Sequence, residues 1–243
     1  MTDKKTKKAS IVYLIYSNIF VRYSKRFSRQ NLYLYLGSMI EKYNIRKMKT
    51  ILNIGAGGEV ALFLRHCKLK FTEIDIDPER NPDYVMDMEN MQGIRNDSVD
   101  AIICMSVLEH VRNPFRAVEE ARRILKQGGI FIGCVPHAFP IHDEPHDYFR
   151  FTKYGILSMF KRFECLELKE QNSYLEAQYV MLLRLFVTGS KKEKIISVIL
   201  FPLFIAILPL IAIGNSLVKN RGVTSGYIFA FIKAESHLND SQR

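Results

Sequence analysis

Residues 50–59 read TILNIGAGGE, an apolar run that leads into a glycine-rich turn. The run from Thr50 to Ile54 predicts a buried strand, and a helix is expected to follow the turn. Gly55 and Gly57 lack a Cβ atom, which lets the backbone turn sharply and bring its N–H groups close to a ligand. Ligands of open α/β sheets bind at the carboxyl ends of strands. The stretch therefore predicts both the fold class and the position of a binding site.

Short apolar runs alternate with helical segments downstream of this turn. The strand-like runs cover residues 50–54, 70–74, 84–86, 101–105 and 130–135. Apolar strands that alternate with helices pair in parallel, with helices on both faces of the sheet. The sequence therefore predicts an α/β protein with a Rossmann-like, doubly wound sheet. With 48% hydrophobic and 25% charged residues, the composition excludes a disordered or collagen-like chain.

Two helices are predicted in detail. An amphipathic helix is expected from about residue 30 to 44, and a second is expected after Asn113, which is a candidate N-cap followed by Pro114 in the first turn. Gly128 and Gly129 predict the end of the second helix. Its expected buried stripe consists of Phe115, Val118, Ala121 and Leu125.

Acidic residues follow the second and third strand-like runs. Asp75 lies 20 residues after Gly55, where a carboxylate can accept hydrogen bonds from both hydroxyls of a ribose. The alternative is a structural turn, which Asp77 and Pro78 could also supply. Asp87 is placed to accept a hydrogen bond from an adenine amino group. Val60 stands where a dinucleotide fingerprint has its third glycine, so the turn favours a nucleoside over a nicotinamide cofactor.

Five motifs in order resemble those of the class I S-adenosylmethionine-dependent methyltransferases, in particular the group called methyltransferase type 11. They are ILNIGAGG at 51–58, FTEIDID at 71–77, MDMENM at 86–91, NDSVDAIICMSVLEHV at 96–111 and RILKQGG at 123–129. The resemblance covers residues 48–136. It implies a seven-stranded sheet whose last strand is antiparallel, and S-adenosylmethionine as the cofactor.

The resemblance also implies which residues contact that cofactor. They are Asn53, Gly55, Ala56, Gly57, Asp75, Ile76, Asp87, Met88 through its backbone, and Met105. Two positions depart from the family pattern, because Asn53 replaces a common acid and Glu59 replaces a common glycine. Asn53 still donates and accepts hydrogen bonds, and Glu59 suits the first turn of a helix. Neither departure argues against cofactor binding.

Residues 136–152 read PHAFPIHDEPHDYFRFT and form a loop that is expected to overhang the cofactor. His142, His146 and Asp147 are candidate catalytic bases for a hydroxyl acceptor, because a histidine near neutral pKa can take its proton. The alternative is that His146, Asp147 and Arg150 bond one another and fix the loop. His110, which precedes this loop in the sequence, either faces the acceptor or caps its helix. A metal site is a third interpretation, because His142, Asp143, His146 and Asp147 are ligand types. No established ligand spacing is matched, so no metal is expected.

Basic charge is concentrated in an N-terminal helical segment, residues 1–47. Residues 1–50 hold twelve Lys/Arg and two acidic residues, which accounts for the whole net charge of +10. The apolar run at 11–21 is too short to span a bilayer, and it is expected either to lie among lipid headgroups or to pack on the domain. The methyltransferase core is assigned to residues 48–190.

Residues 195–213 contain no charged side chain and lie within a predicted membrane-associating insertion, residues 191–222. Residues 226–233 are expected to form the final strand within a last segment, 223–243, so a single membrane crossing would separate this strand from its sheet. Pro202 and Pro209 are expected to interrupt the helix, which favours monotopic attachment. The alternatives are a buried helical hairpin and an oligomer interface.

The sequence thus predicts a methyltransferase that acts on a small-molecule, sugar or lipid-linked glycan acceptor, by O-methylation at the inner face of a membrane. The four separated cysteines favour buried free thiols and a cytoplasmic location. The basic N-terminus leaves RNA methylation as an alternative, although no RNA-binding module is evident, so nucleic acid is not the expected partner. A catalytically silent membrane scaffold is the third possibility.

Overall fold

The computed structural model describes residues 16–220 and 222–234. The Lys-rich start, the first part of the apolar run at 11–21 and the polar tail after residue 234 lie outside the described residues. The strands are β1 (Ile51–Ile54), β2 (Thr72–Asp75), β3 (Tyr84–Val85), β4 (Val99–Met105), β5 (Leu125–Pro136), β6 (Glu164–Glu170) and β7 (Gly226–Ile232). The helices are α1 (Arg22–Lys42), α2 (Gly58–His66), α3 (Pro114–Ile124), α4 (Lys153–Met159), α5 (Tyr174–Thr188) and α6 (Lys191–Leu217).

The seven strands form one sheet in the order β3-β2-β1-β4-β5-β7-β6. Strands β1 to β5 are parallel, and β7 lies antiparallel between β5 and β6. In the centre, Ile54 pairs with both Ile74 and Cys104. The Rossmann-like sheet with an antiparallel last strand, which the sequence predicted, is therefore confirmed.

Two apolar clusters cover the two faces of the sheet. One face packs against α3 and α4 and contains an aromatic stack in which the rings of Phe160 and Phe231 lie 4.4 Å apart. The other face packs against α1 and α2, and Leu36 and Ile40 of α1 are fully buried there. Helix α1 is thus part of the core, because its apolar side reaches the strands.

Helix α3 begins as expected but ends earlier than predicted. The side chain of Asn113 accepts a hydrogen bond from Arg116 N at 3.1 Å, and Pro114 occupies the first turn. The helix ends at Ile124, before the glycines, because Leu125 already pairs with Val99 of the neighbouring strand. Phe115 is exposed, so its assignment to the buried stripe was wrong. The buried stripe consists of Ala117, Val118, Ala121 and Ile124.

The N-terminal helix is longer than the expected 30–44. A π-helical turn at Ser17–Val21 leads into α1. The turn and the start of α1 both run along helices α5 and α6. Tyr16 Oη donates a hydrogen bond to the carbonyl of Phe186, and the ring of Phe20 stacks on that of Phe186 at 5.2 Å. The described part of the run at 11–21 therefore packs on the protein, which is one of its two predicted placements.

Helices α5 and α6 form a hairpin that leaves the sheet after β6 and returns to it at β7. Both helices begin at capping boxes, Ser173 with Glu176 and Ser190 with Glu193. Helix α6 continues through Pro202 and Pro209, so the predicted interruption was wrong. Each proline removes one backbone hydrogen bond, and the packing of α6 against α5 supports the helix across these gaps.

The predicted burial of the cysteines holds for only part of the set. Cys104 and Cys134 are buried in central strands, Cys67 is half-buried and Cys165 is exposed. Cys165 lies on β6, which is an edge strand with one open side. All four are free thiols.

Candidate active site

The glycine turn lies at the carboxyl end of β1, as predicted. Gly55 has φ +93° and Gly57 has φ +75°, which are conformations that favour glycine. A Cβ atom on Gly55 would lie 2.7 Å from Cγ2 of Val107. Val107 lies two residues after the end of β4. The turn after β1 and the turn after β4 are therefore in direct contact, and only glycine fits between them.

Asp75 ends β2 and is joined to the glycine turn. Its Oδ2 accepts a hydrogen bond from Ala56 N at 2.7 Å, and its Oδ1 accepts one from Asp77 N at 2.9 Å. The carboxylate is buried except for its outer edge. Each carboxylate oxygen has a second lone pair, so Asp75 can accept the two hydroxyls of a ribose without losing the bonds that hold the turn. These residues therefore fit the nucleoside that the sequence predicted.

Glu73 contributes to the same turn, although the sequence analysis did not select it. Its Oε1 accepts a hydrogen bond from Gly57 N at 2.8 Å, and its other oxygen binds the Arg65 guanidinium. The side chain is nearly buried within β2. The available signal was an acid inside an otherwise apolar strand.

The other predicted cofactor residues differ in exposure. Asn53 is fully buried, its Nδ2 lies 3.4 Å from the Gly55 carbonyl, and its Oδ1 has no hydrogen-bond partner among the described residues. Ile76 is 66% exposed beside Asp75, where an apolar side chain can cover an adenine ring. Asp87 is exposed, and its Oδ1 accepts a hydrogen bond from Glu89 N.

Met88 and Met105 face inward. Met88 is buried with its sulfur 3.9 Å from Cys104 Sγ, and Met105 is buried in the core cluster under α1. Their side chains do not line an open crevice, so a cofactor at this edge would meet their backbone atoms. For Met88 the resemblance implied a contact through the backbone, and this stays a prediction.

A buried carboxylate lies beside this turn, in the short 3-10 turn Leu108–His110 that follows β4. Glu109 is fully buried, and neither carboxylate oxygen has a hydrogen-bond partner among the described residues. Burial raises the pKa of Glu109 to about 8. From this motif the sequence indicated His110 and not Glu109, and the missed signal was an acid four residues after an apolar strand.

Two histidines face Glu109. His110 Nε2 lies 4.0 Å and His142 Nε2 lies 3.9 Å from Glu109 Oε1, and the two imidazole rings are 5.0 Å apart. His110 Nδ1 lies 2.7 Å from the His146 carbonyl, and His142 Nδ1 lies 3.2 Å from the Pro140 carbonyl. Because a carbonyl oxygen only accepts, each Nδ1 carries the proton and each Nε2 directs a lone pair towards Glu109. Burial lowers the pKa of His142, which favours this neutral form.

The other two predicted bases are engaged within the loop, and Asp147 Oδ2 also lies 3.3 Å from His142 Nδ1. Asp147 accepts hydrogen bonds from both terminal nitrogens of Arg150 at 2.6 Å and from His142 N at 2.9 Å. The bonds from Arg150 lower the pKa of Asp147 to about 2, which makes it a weak base. The exposed ring of His146 contacts Tyr148 Oη at 2.7 Å. The pair Asp147–Arg150 corresponds to the alternative interpretation, in which these residues fix the loop.

The loop also contacts the helical hairpin. The guanidinium carbon of Arg184, on α5, lies 4.4 Å from the ring centroid of Phe139, and Phe139 packs edge-on against His142 at 5.4 Å. Arg184 is buried, its Nη2 donates to Ser28 Oγ at 3.1 Å, and its Nε has no partner in the described part of the chain. Helix α5 is thus connected, through Phe139, to His142, which faces Glu109.

The fold and this site define a Rossmann-like protein with a nucleoside-binding edge. Residues 52–133 match a family model described as "Methyltransferase domain". This region is therefore similar to that family, and the chain has the Rossmann-like methyltransferase fold. The family match and the fold indicate S-adenosylmethionine as the cofactor. No curated protein matches the sequence significantly.

Solved structures share the fold at low sequence identity. The [4+2]-cyclase SpnF has a TM-score of 0.54 at 16% identity, with 82% of this chain and 81% of that chain covered. A putative sarcosine dimethylglycine methyltransferase from Galdieria sulphuraria has a TM-score of 0.52 at 14% identity, with 88% and 85% covered. Geranyl diphosphate C-methyltransferase from Streptomyces coelicolor A3(2), in complex with Mg²⁺, geranyl diphosphate and S-adenosyl-L-homocysteine, has a TM-score of 0.50 at 12% identity, with 76% and 71% covered.

Proposed function

We propose that the chain transfers the methyl group of S-adenosylmethionine to a hydroxyl of a small-molecule, sugar or lipid-linked glycan acceptor at a membrane surface. One observation carries this proposal: Glu109 and His110, in the turn after β4, form a polar cluster with His142 of the loop after β5, and the turn after β4 contacts the glycine turn. A hydroxyl acceptor needs a group that takes its proton, and this cluster offers one at the correct edge of the sheet.

His142 is the base that we select from the three predicted residues. Its Nε2 has a free lone pair, whereas Asp147 is bound by Arg150 and the His146 ring lies against Tyr148. When bound, S-adenosylmethionine supplies a methyl group on a sulfonium, whose sulfur leaves as a neutral thioether as the new C–O bond forms. The acceptor proton passes to His142 Nε2. Asp147 and Arg150 then act as positioning residues that hold the loop over the site.

The surface of α6 supports the membrane part of the proposal. In the described residues it is the one helix that is long and apolar enough to cross a membrane, with a mean hydropathy of 2.9, and only 11% of its apolar window is buried. Phe204 packs into the cluster around α5, whereas one stripe of apolar side chains is exposed. The stripe consists of Ile195, Ile196, Ile199, Leu203, Leu210, Ile213 and Leu217.

The topology favours a helix that lies in one leaflet. Strands β6 and β7, before and after the hairpin, are neighbours in the same sheet, so both ends of the hairpin are on the same side of any membrane. Lys191, Lys192 and Lys194 at the start of α6 suit an anionic lipid surface. Large exposed apolar surfaces are uncommon on soluble monomers, and a monotopic attachment would cover this one.

Calorimetric titration with S-adenosylmethionine tests the cofactor assignment. We expect Asp75→Ala to weaken binding by at least about tenfold, because two hydrogen bonds to an ionised acceptor are worth well over 1.4 kcal/mol. Asp77→Ala is the matched control, since Asp77 is half-exposed and its side chain caps the next turn and pairs with Arg80 at 3.8 Å. Equal affinity of the wild type and Asp75→Ala would refute the assignment.

Labelled methyl transfer tests the acceptor class. The full chain is incubated with methyl-labelled cofactor and either membrane lipid extract, soluble glycans or total RNA. We expect label as a methyl ether in the lipid-linked or glycan fraction. Label confined to RNA would support the nucleic-acid alternative, and cofactor binding without any transfer would support a silent scaffold.

A further inference from the structure

Glu109, His110 and His142 present three potential metal ligands towards one point. Their nearest ligand atoms, one from each residue, all lie within 4.8 Å of one another. In a tetrahedral zinc site with bonds of about 2.0–2.1 Å, ligand atoms are about 3.3 Å apart. The observed separations of 3.9 and 4.0 Å from Glu109 Oε1 therefore need only small side-chain rotations to reach that geometry.

The hydrogen bonds behind the histidines have the arrangement of a metal site. Each Nδ1 donates to a backbone carbonyl, that of His146 for His110 and that of Pro140 for His142. Such outer bonds fix the ring orientation and leave Nε2 as the ligand atom, as in most metal-binding histidines. Both rings are thus pre-oriented by the backbone of the same loop.

The carboxyl group at the centre of this cluster, unpartnered in the described part of the chain, would also gain a partner from a cation. Glu109 is fully buried and unpartnered within the described residues, which is strongly unfavourable for an ionised carboxylate. The nearby Arg150 makes its side-chain ion pair with Asp147 and gives Glu109 no hydrogen bond. A divalent ion would satisfy the carboxylate and both imidazoles together.

We propose that Glu109, His110 and His142 bind a divalent transition-metal ion. Two imidazoles and one carboxylate are the ligands of catalytic zinc sites and of some iron(II) sites, whereas Mg²⁺ and Ca²⁺ favour all-oxygen sites. Three protein ligands leave at least one coordination position open. The sequence predicted no metal, because the loop at 136–152 matches no established ligand spacing. The three ligands proposed here come from two separate segments of the chain, which a spacing within one loop does not detect.

The ion would change how the acceptor is activated, and only this consequence rests on the proposed function. A hydroxyl in the open position becomes more acidic, because a metal ion lowers the pKa of a bound oxygen. Its proton then leaves to water, since the lone pair of His142 is used by the ion. Without the ion, His142 accepts the proton directly. Metal binding and methyl transfer can therefore be tested separately.

The test measures Zn²⁺ binding by the full chain, purified in detergent and freed of metal with a chelator. Competition with a chromogenic chelator gives the affinity and stoichiometry, and Co²⁺ substitution reports the ligand set through its visible absorption. We expect one ion per chain in the wild type. Glu109→Gln and His142→Ala are each expected to weaken binding at least about 100-fold, the upper range for outer-shell changes.

His146→Ala is the matched control, because its exposed ring lies outside the cluster while its carbonyl is retained. It should bind Zn²⁺ as the wild type does. His142 is partly exposed, so His142→Ala is expected to fold even if Glu109→Gln does not. A wild type that retains no stoichiometric Zn²⁺, or folded variants that bind as tightly as the wild type, would overturn the proposal. Loss of S-adenosylmethionine binding or of methyl transfer alone would not.

Discussion

His142 Nε2 lies 3.9 Å from Oε1 of Glu109, although the two residues belong to different loops at the carboxyl edge of the sheet. Glu109 lies in the 3-10 turn that comes after β4, and His142 is held by the backbone of the loop after β5. Strands β4 and β5 are neighbours in parallel. Their carboxyl ends therefore deliver an acid and a base to the same point beside the glycine turn.

Replacing His142 with alanine tests whether this contact serves the chemistry. We expect kcat to fall by about 10²–10⁴, which is the usual contribution of a positioned base, while the affinity for S-adenosylmethionine is unchanged. Steady-state kinetics combined with calorimetry separates the two. His146→Ala should retain most of its activity, and a similar loss in both variants would argue that the loop as a whole, and not His142, is required.

Gly55→Ala tests the contact between the turns after β1 and β4. The new Cβ atom would lie 2.7 Å from Val107 Cγ2 at a φ of +93°, so either turn must move. We expect a loss of roughly 1–3 kcal/mol in the free energy of unfolding from overpacking, and strongly reduced cofactor affinity.

Gly58→Ala is the control for Gly55→Ala. Gly58 also has a positive φ, +64°, but a Cβ atom there would meet nothing within 4 Å. Its penalty is conformational only, about 1–2 kcal/mol. Denaturant unfolding and calorimetry on both variants separate the steric clash with Val107 from the backbone strain that both substitutions cause. Equal cofactor affinity in the two variants would contradict the proposed role of the Gly55–Val107 contact.

The sequence was sufficient for the part of the site that depends on local signals. The glycine turn and Asp75 each end a strand that the apolar pattern predicts, and parallel pairing of β1 with β2 then brings Ala56 and Asp75 together. The antiparallel β7 followed from resemblance and from an apolar run at the correct distance. Each of these features can be recognised within a single segment of the sequence. The parallel pairing of neighbouring strands then places the glycine turn and Asp75 at the same edge of the sheet.

The rest of the site depends on contacts that no local signal encodes. Glu109 and His142 meet because of the path of the loop, which the Asp147–Arg150 pair holds. Arg184 comes from a hairpin whose burial the sequence left open. The end of α3 is set by the pairing of Leu125 with Val99 of the neighbouring strand, and not by the downstream glycines.

Acid sensitivity is expected from Glu167, which joins β6 to the end of α1. Burial favours its neutral form, but hydrogen bonds from Lys169, Lys42 and Tyr43 outweigh this and lower its pKa to about 2, from 4.5. A carboxyl whose folded-state pKa is lowered stabilises the fold above its unfolded pKa, and this stability is lost as pH falls through the window between the two values.

We therefore expect thermal unfolding of the wild type to shift to lower temperature between about pH 5 and pH 2, and Glu167→Gln to lack part of this shift. Melting curves recorded across this range give the difference between the two proteins. Glu164→Gln, at an exposed position on the same strand, serves as the control. A constant difference in melting temperature at every pH would contradict the assignment to Glu167.

The exposed stripe of α6 should decide whether the protein binds lipid. Ile199 and Leu203 are 70% and 61% exposed on this stripe. Ile199→Glu and Leu203→Glu should each reduce partitioning onto anionic vesicles by about tenfold or more, since burial of one such side chain contributes roughly 1.5–3 kcal/mol. Tyr154→Glu, at a 70% exposed position on α4, should leave partitioning unchanged in the same sedimentation assay. If both α6 variants sediment like the wild type, or if they instead dissociate a lipid-free dimer, α6 is not the membrane contact.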